Sequence, residues 1–255
     1  MIVNDGSNDK TEKILSKMSI NYISHRLNLG LGAAIKTAVN FGLNNDFTHM
    51  VMLDGDGQHP TYLIEKFIKK LDSYDFVIRN RFHNLCNVPF PKLSSNFLAS
   101  FILYKSFGIR MKDVSCGFRA FKIEEDLLKF SSNRYDFIFE QNIYIKKQIY
   151  TIGYIDIPVI YYFDELLATK YEEILSFFNL ILAYEIDIKN KDIVKKIFDA
   201  LNKIKSKNNF VFTYKKIDIF GFYLDEYNSY IIQTNYNFAK KYFESIIKNK
   251  IKGYI

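Results

Sequence analysis

A chain of 255 residues, 48% apolar and 25% charged, has the composition of a globular protein with a real core, and not that of a disordered or fibrous one. Its formal charge of +7 points to an anionic partner: nucleic acid, an anionic membrane surface or a phosphorylated small molecule. The lysines are scattered in short pairs such as Lys69-Lys70 and Lys195-Lys196, without the dense stripe that a nucleic-acid surface requires, so nucleic acid is not expected.

In chain order, Ile2-Val3 is a short apolar strand running into the turn Asn4-Asp5-Gly6-Ser7. Asn8-Asp9 can cap a helix through Met18. Ile20 to Ile23 reads as a strand and Gly32 to Phe41 as a small-residue helix, with Gly42 placed to end it. His49 to Leu53 is a strand entering the turn Asp54-Gly55-Asp56-Gly57, and Pro60 starts a helix through Leu71. Asp75 to Ile78 is the next strand, followed by a helix over Pro91 to Phe107. The polar turn Asp113 to Arg119 leads to a short strand. A helix from Phe137 to Ile149 and an edge strand from Tyr154 to Tyr162, interrupted by Pro158, complete the alternation. Strand and helix in turn imply a mostly parallel sheet, in which ligands sit beyond the carboxyl ends of the strands. The Asp5 and Asp54 turns are both strand ends of this kind and therefore share one edge.

Asp54 and Asp56 lie two residues apart, a spacing that puts both carboxylates on one side of extended backbone. With an oxygen from Gln58, they suit Mg²⁺ or Mn²⁺ held jointly by protein and substrate phosphates. The run Asn28 to Ala33 is rich in glycine but fails the dinucleotide-binding pattern, because Ile35 stands at its closing position. His25, His49, His59 and His83 are dispersed without metal-ligand spacing, and only His59 gains interest, from its place beside the Asp54 turn. Cys86 and Cys116 form neither a disulfide framework nor a zinc site and read as reduced thiols of an intracellular protein. No signal peptide is read at the start, and the most apolar stretch, Ile174 to Tyr184, falls well short of the roughly twenty residues of a membrane span.

These residues resemble, in order, the motifs of family-2 glycosyltransferases. Val3-Asn4-Asp5-Gly6-Ser7 with Asp9 and Thr11 is similar to Val-Asp-Asp-Gly-Ser-x-Asp-x-Thr, and Asn28-x-Gly30-x-Gly32-Ala33-Ala34 to Asn-x-Gly-x-Gly-x-Ala. Asp54-Gly55-Asp56-Gly57-Gln58-His59-Pro60 resembles the Asp-Ala-Asp-Gly-Gln-His-Pro motif of the dolichyl-phosphate mannose synthase and polyprenyl-phosphate glycosyltransferase branch. Arg81 stands where that branch has Gly-Ser-Arg, and Asp113-x-Ser115-Cys116-Gly117-Phe118-Arg119 matches Asp-x-Ser-x-Gly-Phe-Arg. Glu140 and Asp156-Ile157-Pro158-Val159 resemble its late Glu and Glu-Val-Pro-Ile.

The resemblance implies a GT-A fold, a mostly parallel sheet flanked by helices over residues 1–165; after about Asp164 the alternation changes character, and residues 166–255 read as a small, basic α+β extension of unknown role. It implies inverting transfer of a sugar from a UDP- or GDP-sugar donor to a polyprenyl phosphate or a glycan. Asp5, Ser7, Asp54 and Gly55 would bind the donor, and Asp54, Asp56 and Gln58 the metal. Asp56, Arg81 and Arg119 would act in catalysis, the arginines on phosphate. Three departures stand out. Asn4 replaces the first Asp, Arg79-Asn80 replaces Gly-Ser, and Asp164 to Lys170 lacks the late arginine of the family. The family's first strand and helix have no counterpart before Ile2, so the rival expectation is a shortened, non-catalytic remnant that at most binds a partner. Residues 166–255 hold 15 lysines against 10 acidic residues. Phe238, Tyr242 and Ile246 lie at helical spacing among Lys240, Lys241 and Lys248, a pattern that fits either a docking helix or an anionic membrane face. The expected location is cytoplasmic, with peripheral attachment at the membrane.

Overall fold

The computed structural model describes residues 1–83, 88, 90–157, 169–184, 195, 210–214, 217–224 and 229–234. Strand β1 (Ile2–Asn4), helix α1 (Thr11–Leu15), β2 (Tyr22–Ser24), α2 (Leu31–Asn44) and β3 (His49–Met52) open the chain. They are followed by α3 (Ile64–Lys70), β4 (Phe76–Asn80), α4 (Phe90–Phe107), β5 (Arg119–Lys122), α5 (Asp136–Lys147) and β6 (Ile152–Asp156). Beyond lie β7 (Thr169–Lys170), α6 (Tyr171–Ala183), β8 (Phe210–Tyr214), β9 (Ile217–Leu224) and β10 (Ser229–Thr234).

The alternation is as expected, but the sheet is mixed. The order is β3-β5-β4-β6, with β5 antiparallel to both β3 and β4, and β4 parallel to β6. The turn before Arg119 reverses the chain, so β5 enters from the carboxyl ends of its neighbours. Met52, Arg119 and Ile78 are thereby in register across three strands. β1 and β2 form a separate parallel pair. Helix α2 packs against both β1 and β3 and bridges the two sheets. Among the described residues, β1 pairs only with β2 and β3 only with β5.

Several boundaries differ for local reasons. Helix α1 is shorter than the expected span, although the Asp9 carboxylate does take the Thr11 N–H at its start, at 2.8 Å. Pro60 is extended and precedes a 3-10 turn over Thr61–Leu63, with α3 beginning only at Ile64. Gly42 does not end α2. It lies inside the helix, where a β-carbon would come within 2.6 Å of Ile123 Cδ1, so it permits close packing. The stop falls at Asp46, in the left-handed region (φ 58°), with Phe47 N–H bonded to Gly42 O and Asp46 N–H to Leu43 O.

One apolar core unites the helices and the four-stranded sheet, from Ile35 and Val39 on α2 through Phe67, Val77, Phe118 and Phe121 to Ile143 on α5. It runs past the boundary expected at residue 165. Phe177, Phe178, Leu180 and Ile181 of α6 belong to the same cluster, and α6 packs on α5. Its apolar face is covered by that contact, so α6 packs as part of the same core. β7 to β10 form an antiparallel sheet in the order β7-β10-β9-β8, and β10 lies against α4. Pro158, Cys86, the Asp164–Ala168 stretch and the lysine-flanked pattern at Phe238, Tyr242 and Ile246 lie outside the described residues. No described helix is long and apolar enough to cross a membrane.

Candidate functional site

β3, β4 and β6 point the same way, with the start of β5 at their carboxyl ends. One edge of the sheet therefore collects four motifs: Asp54–His59 after β3, Arg81 after β4, Asp113–Phe118 before β5, and Asp156 at the end of β6. Asn80 Nδ2 donates to Asp156 Oδ1 at 2.6 Å, tying the β4 and β6 ends together.

The Asp54 turn is braced from two sides. His59, buried against the Phe118 ring, lies 3.0 Å from Asp54 Oδ2 through Nε2. Phe118 in turn stacks on Phe67, with ring centroids 4.1 Å apart. Gly117 faces the carboxylate. A β-carbon there would sit 2.9 Å from Asp54 Oδ2, so the Cys116-Gly117-Phe118 stretch passes where no side chain fits. Asp56 is exposed, and its Oδ1 accepts the Gln58 N–H at 2.9 Å, which closes the turn. Gly55 is exposed, with open space around its α-carbon. The Gln58 main-chain oxygen accepts from Arg79 Nη1 at 3.1 Å.

Arg81 forms the second half of the edge. Its Nε and Nη2 donate to the two oxygens of Asp113 at 2.7 and 2.8 Å, and Nη2 also reaches Ser115 Oγ at 2.7 Å. Asp113 is fully buried and receives Asn96 Nδ2 from α4 as well. Burial works against the Arg81 charge, but the Asp113 carboxylate outweighs it and holds the guanidinium well above its ordinary range. Arg81 stays partly exposed, and its Nη1 makes no hydrogen bond among the described residues. A fork fixed on one edge with a donor left over is suited to a phosphate oxygen. Tyr135, one residue before α5, donates its hydroxyl to Ser115 O and closes this side.

Arg119 is placed otherwise than expected. It is fully buried, with Nε on Cys116 O (2.7 Å), Nη2 on Val114 O (3.2 Å), and Nη1 on Gln141 Oε1 and Asn142 Oδ1 (3.1 and 2.7 Å). All of these acceptors belong to the protein, so the side chain holds the Val114–Cys116 turn onto α5 and has no edge to offer a phosphate. Arg79, one of the departures from the family pattern, is buried and turned back onto His59 and Gln58. Glu140 is buried and accepts from the Ser131 and Ser132 main chain and from Tyr184 OH, so it fastens α6 to the turn before α5.

Asp5 stands at the end of β1. Its carboxylate accepts from Leu29 N–H (2.9 Å), Gly30 N–H (2.7 Å) and His25 Nδ1 (2.7 Å). Burial raises its pKa, but these three hydrogen bonds prevail and hold it below the ordinary value of 3.8. The carboxylate therefore shapes the Asn28–Gly30 loop, and any donor contact has to share it. The Ser7 N–H bonds to Asn4 Oδ1 at 3.2 Å, closing the turn after β1. His25, which the sequence shows only as one of four dispersed histidines, is part of this brace.

Asn96, Tyr135 and the Arg79–His59 contact were not legible as site components, and Gly117 was legible only as part of its motif. Adjacency to Asp54 singled out His59. Asn96 and Tyr135 are brought in by helix packing and leave no local trace.

Residues 1–128 match the model described as glycosyl transferase family 2. The chain is 33% identical over 169 residues to a Methanocaldococcus jannaschii protein of unassigned activity, covering 63% of this chain and 70% of that one. It is 30% identical over 188 residues to the UDP-N-acetylglucosamine–dolichyl-phosphate N-acetylglucosaminyltransferase of Methanococcus voltae, covering 63% and 74%. It is 26% identical over 138 residues to the polyprenol monophosphomannose synthase of Mycolicibacterium smegmatis, spanning about half the length of each (49% and 51%).

Proposed function

Since the chain belongs to glycosyl transferase family 2 and resembles its polyprenyl-phosphate branch, we propose that it transfers a sugar from a nucleotide-diphosphate donor to a polyprenyl phosphate, with a divalent metal and with inversion. The observation that carries this reading is the juxtaposition at one sheet edge of the Asp54–Asp56 turn and the Asp113-anchored Arg81.

The residues fit a hard cation shared with substrate. Asp54 Oδ1 and Asp56 Oδ2 carry no hydrogen bond among the described residues, and Gly117 keeps the approach to Asp54 free of a side chain. No three acidic, histidine or cysteine side chains converge on one point among the described residues. The protein would thus supply Asp54 and Asp56, and phosphate oxygens and water the rest, as Mg²⁺ and Mn²⁺ sites commonly do. A bound ion there supplies neutralisation of the departing diphosphate. Arg81 binds a phosphate through Nη1 while Asp113 and Ser115 hold its plane. A phosphate acceptor is already an anion at neutral pH, so the site needs no general base for it. A saccharide hydroxyl would need one; of the carboxylates at this edge other than Asp54 and Asp56, Asp113 is taken up by Arg81, while Asp156 gives one oxygen to Asn80.

The test is donor binding with and without Mn²⁺. Asp54→Ala and Asp56→Ala together are expected to remove the metal-dependent part while far-UV circular dichroism stays unchanged. Metal-dependent binding that persists in the double variant would reject the assignment. Offering polyprenyl phosphate and glycans side by side with labelled UDP- and GDP-sugars then separates the acceptors, and label in glycan alone would overturn the lipid-phosphate reading.

A further inference from the structure

Arg79 stands where the resembling branch has a glycine, and its buried guanidinium lies 2.8 Å from His59 Nδ1 through Nη1. A guanidinium only donates hydrogen bonds. The Nδ1 atom of His59 must therefore accept, so the neutral ring carries its proton on Nε2. That nitrogen faces Asp54 Oδ2 at 3.0 Å and donates to it. The imidazole cannot swing away, because its ring meets the edge of Phe118 at 5.2 Å and Phe118 is stacked on Phe67. The other donation from Arg79 Nη1, to Gln58 O, clamps the same turn one residue earlier.

We propose that Arg79 and His59 form a positioning relay: Arg79 sets the His59 tautomer, and His59 pins one oxygen of Asp54 so that the other is presented to the metal and diphosphate. The proposal rests on Asp54 being a ligand, as read above, but the tautomer lock stands apart from it. Neither residue touches substrate. Both act through Asp54, in the way that outer partners orient the ligands of metal sites. Rotation of the Asp54 carboxylate, which an unsupported turn would allow, is removed before the donor arrives.

Two measurements test the relay. Nitrogen-15 NMR of the metal-free chain reads the tautomer directly. The proton of His59 is expected on Nε2 in the unaltered chain, and on a mixture of both nitrogens in Arg79→Met. A proton on Nδ1 in the unaltered chain, or an unchanged ring in Arg79→Met, would overturn the lock.

Mn²⁺ affinity, read from the free-ion electron paramagnetic resonance signal, tests the positioning. His59→Phe keeps the ring contact with Phe118, and it should weaken Mn²⁺ binding on the order of tenfold, as should Arg79→Met. The double variant should lose no more than either single one, because the two act in line. His59→Gln, which keeps an N–H donor, should recover part of the loss, and so should Arg79→Lys. Additive losses would overturn the relay. Tenfold losses with no recovery by the conservative variants would reduce it to a packing effect and overturn it equally. Absence of Mn²⁺ binding by the unaltered chain would instead overturn the metal reading, and the positioning role with it, while the NMR result would still decide the lock.

Discussion

At the scale of single residues, the site is defined as much by a missing side chain as by those present. Gly117 does not sit in a left-handed turn. What matters there is the 2.9 Å between its hypothetical β-carbon and Asp54 Oδ2. Asp54 is a short side chain already fixed by His59, so a methyl group cannot be absorbed by a distant flexible end. Gly117→Ala is expected to displace the carboxylate and weaken Mn²⁺-dependent donor binding about tenfold, or ~1.4 kcal/mol. Calorimetry with donor and Mn²⁺ checks this, and an unchanged dissociation constant would mean that Asp54 is not a ligand. Two of the arginines show that residue type alone does not settle a role. Arg81 and Arg119 both lie in or beside phosphate-binding motifs by resemblance, yet one keeps a donor available and the other is fully engaged by protein oxygens.

At the scale of elements, the end of α5 carries a strain that can be relieved. Ile149 adopts φ 58°, where a β-branched side chain is unfavourable. The hydrogen bonds explain why it is held there. Tyr150 N–H returns to Ile145 O and Ile149 N–H to Lys146 O, the two bonds of a helix stop that normally uses glycine. The side chain is 76% exposed, so little packing is lost by removing it. Ile149→Gly should stabilise the fold by roughly 0.5–1 kcal/mol, the relieved strain exceeding the added flexibility of the unfolded chain. A higher urea midpoint at unchanged slope is the expected result. The protein has no tryptophan, so circular dichroism is the suitable probe.

At the scale of the whole molecule, acid sensitivity follows from carboxylates that the fold holds ionised. Burial opposes ionisation of Glu140, but the hydrogen bonds from Ser132, Tyr184 and Ser131 prevail and set its pKa below the ordinary 4.5. Asp5 and Asp75 are likewise depressed below 3.8, Asp75 mainly by the Thr151 side chain and main chain. A depressed folded-state pKa contributes stability that is present above the unfolded value and is lost as pH falls through the folded one. Stability should therefore decline as the pH drops below about 4.5, and Glu140→Gln should flatten that decline while costing stability at pH 7. Urea midpoints across pH 3–7 would show it, and parallel curves for the two proteins would refute the assignment to Glu140.

The order of strands and helices, the acidic turn after β3 and the family were legible in the sequence, because each depends on near neighbours: periodicity, turn residues and contiguous motifs. The antiparallel insertion of β5 was not legible, since strand direction is set by where the Asp113–Phe118 turn sends the chain and not by its composition. The reach of the core beyond residue 165 was hidden for the same reason: α6 reads as an apolar helix, and only packing on α5 shows what it covers. The roles of Arg79, Arg119 and Asn96 depended entirely on tertiary structure. A guanidinium or an amide has the same local signature whether it faces substrate or a buried carbonyl, and only the positions of its hydrogen-bond acceptors, distant in sequence, decide between the two.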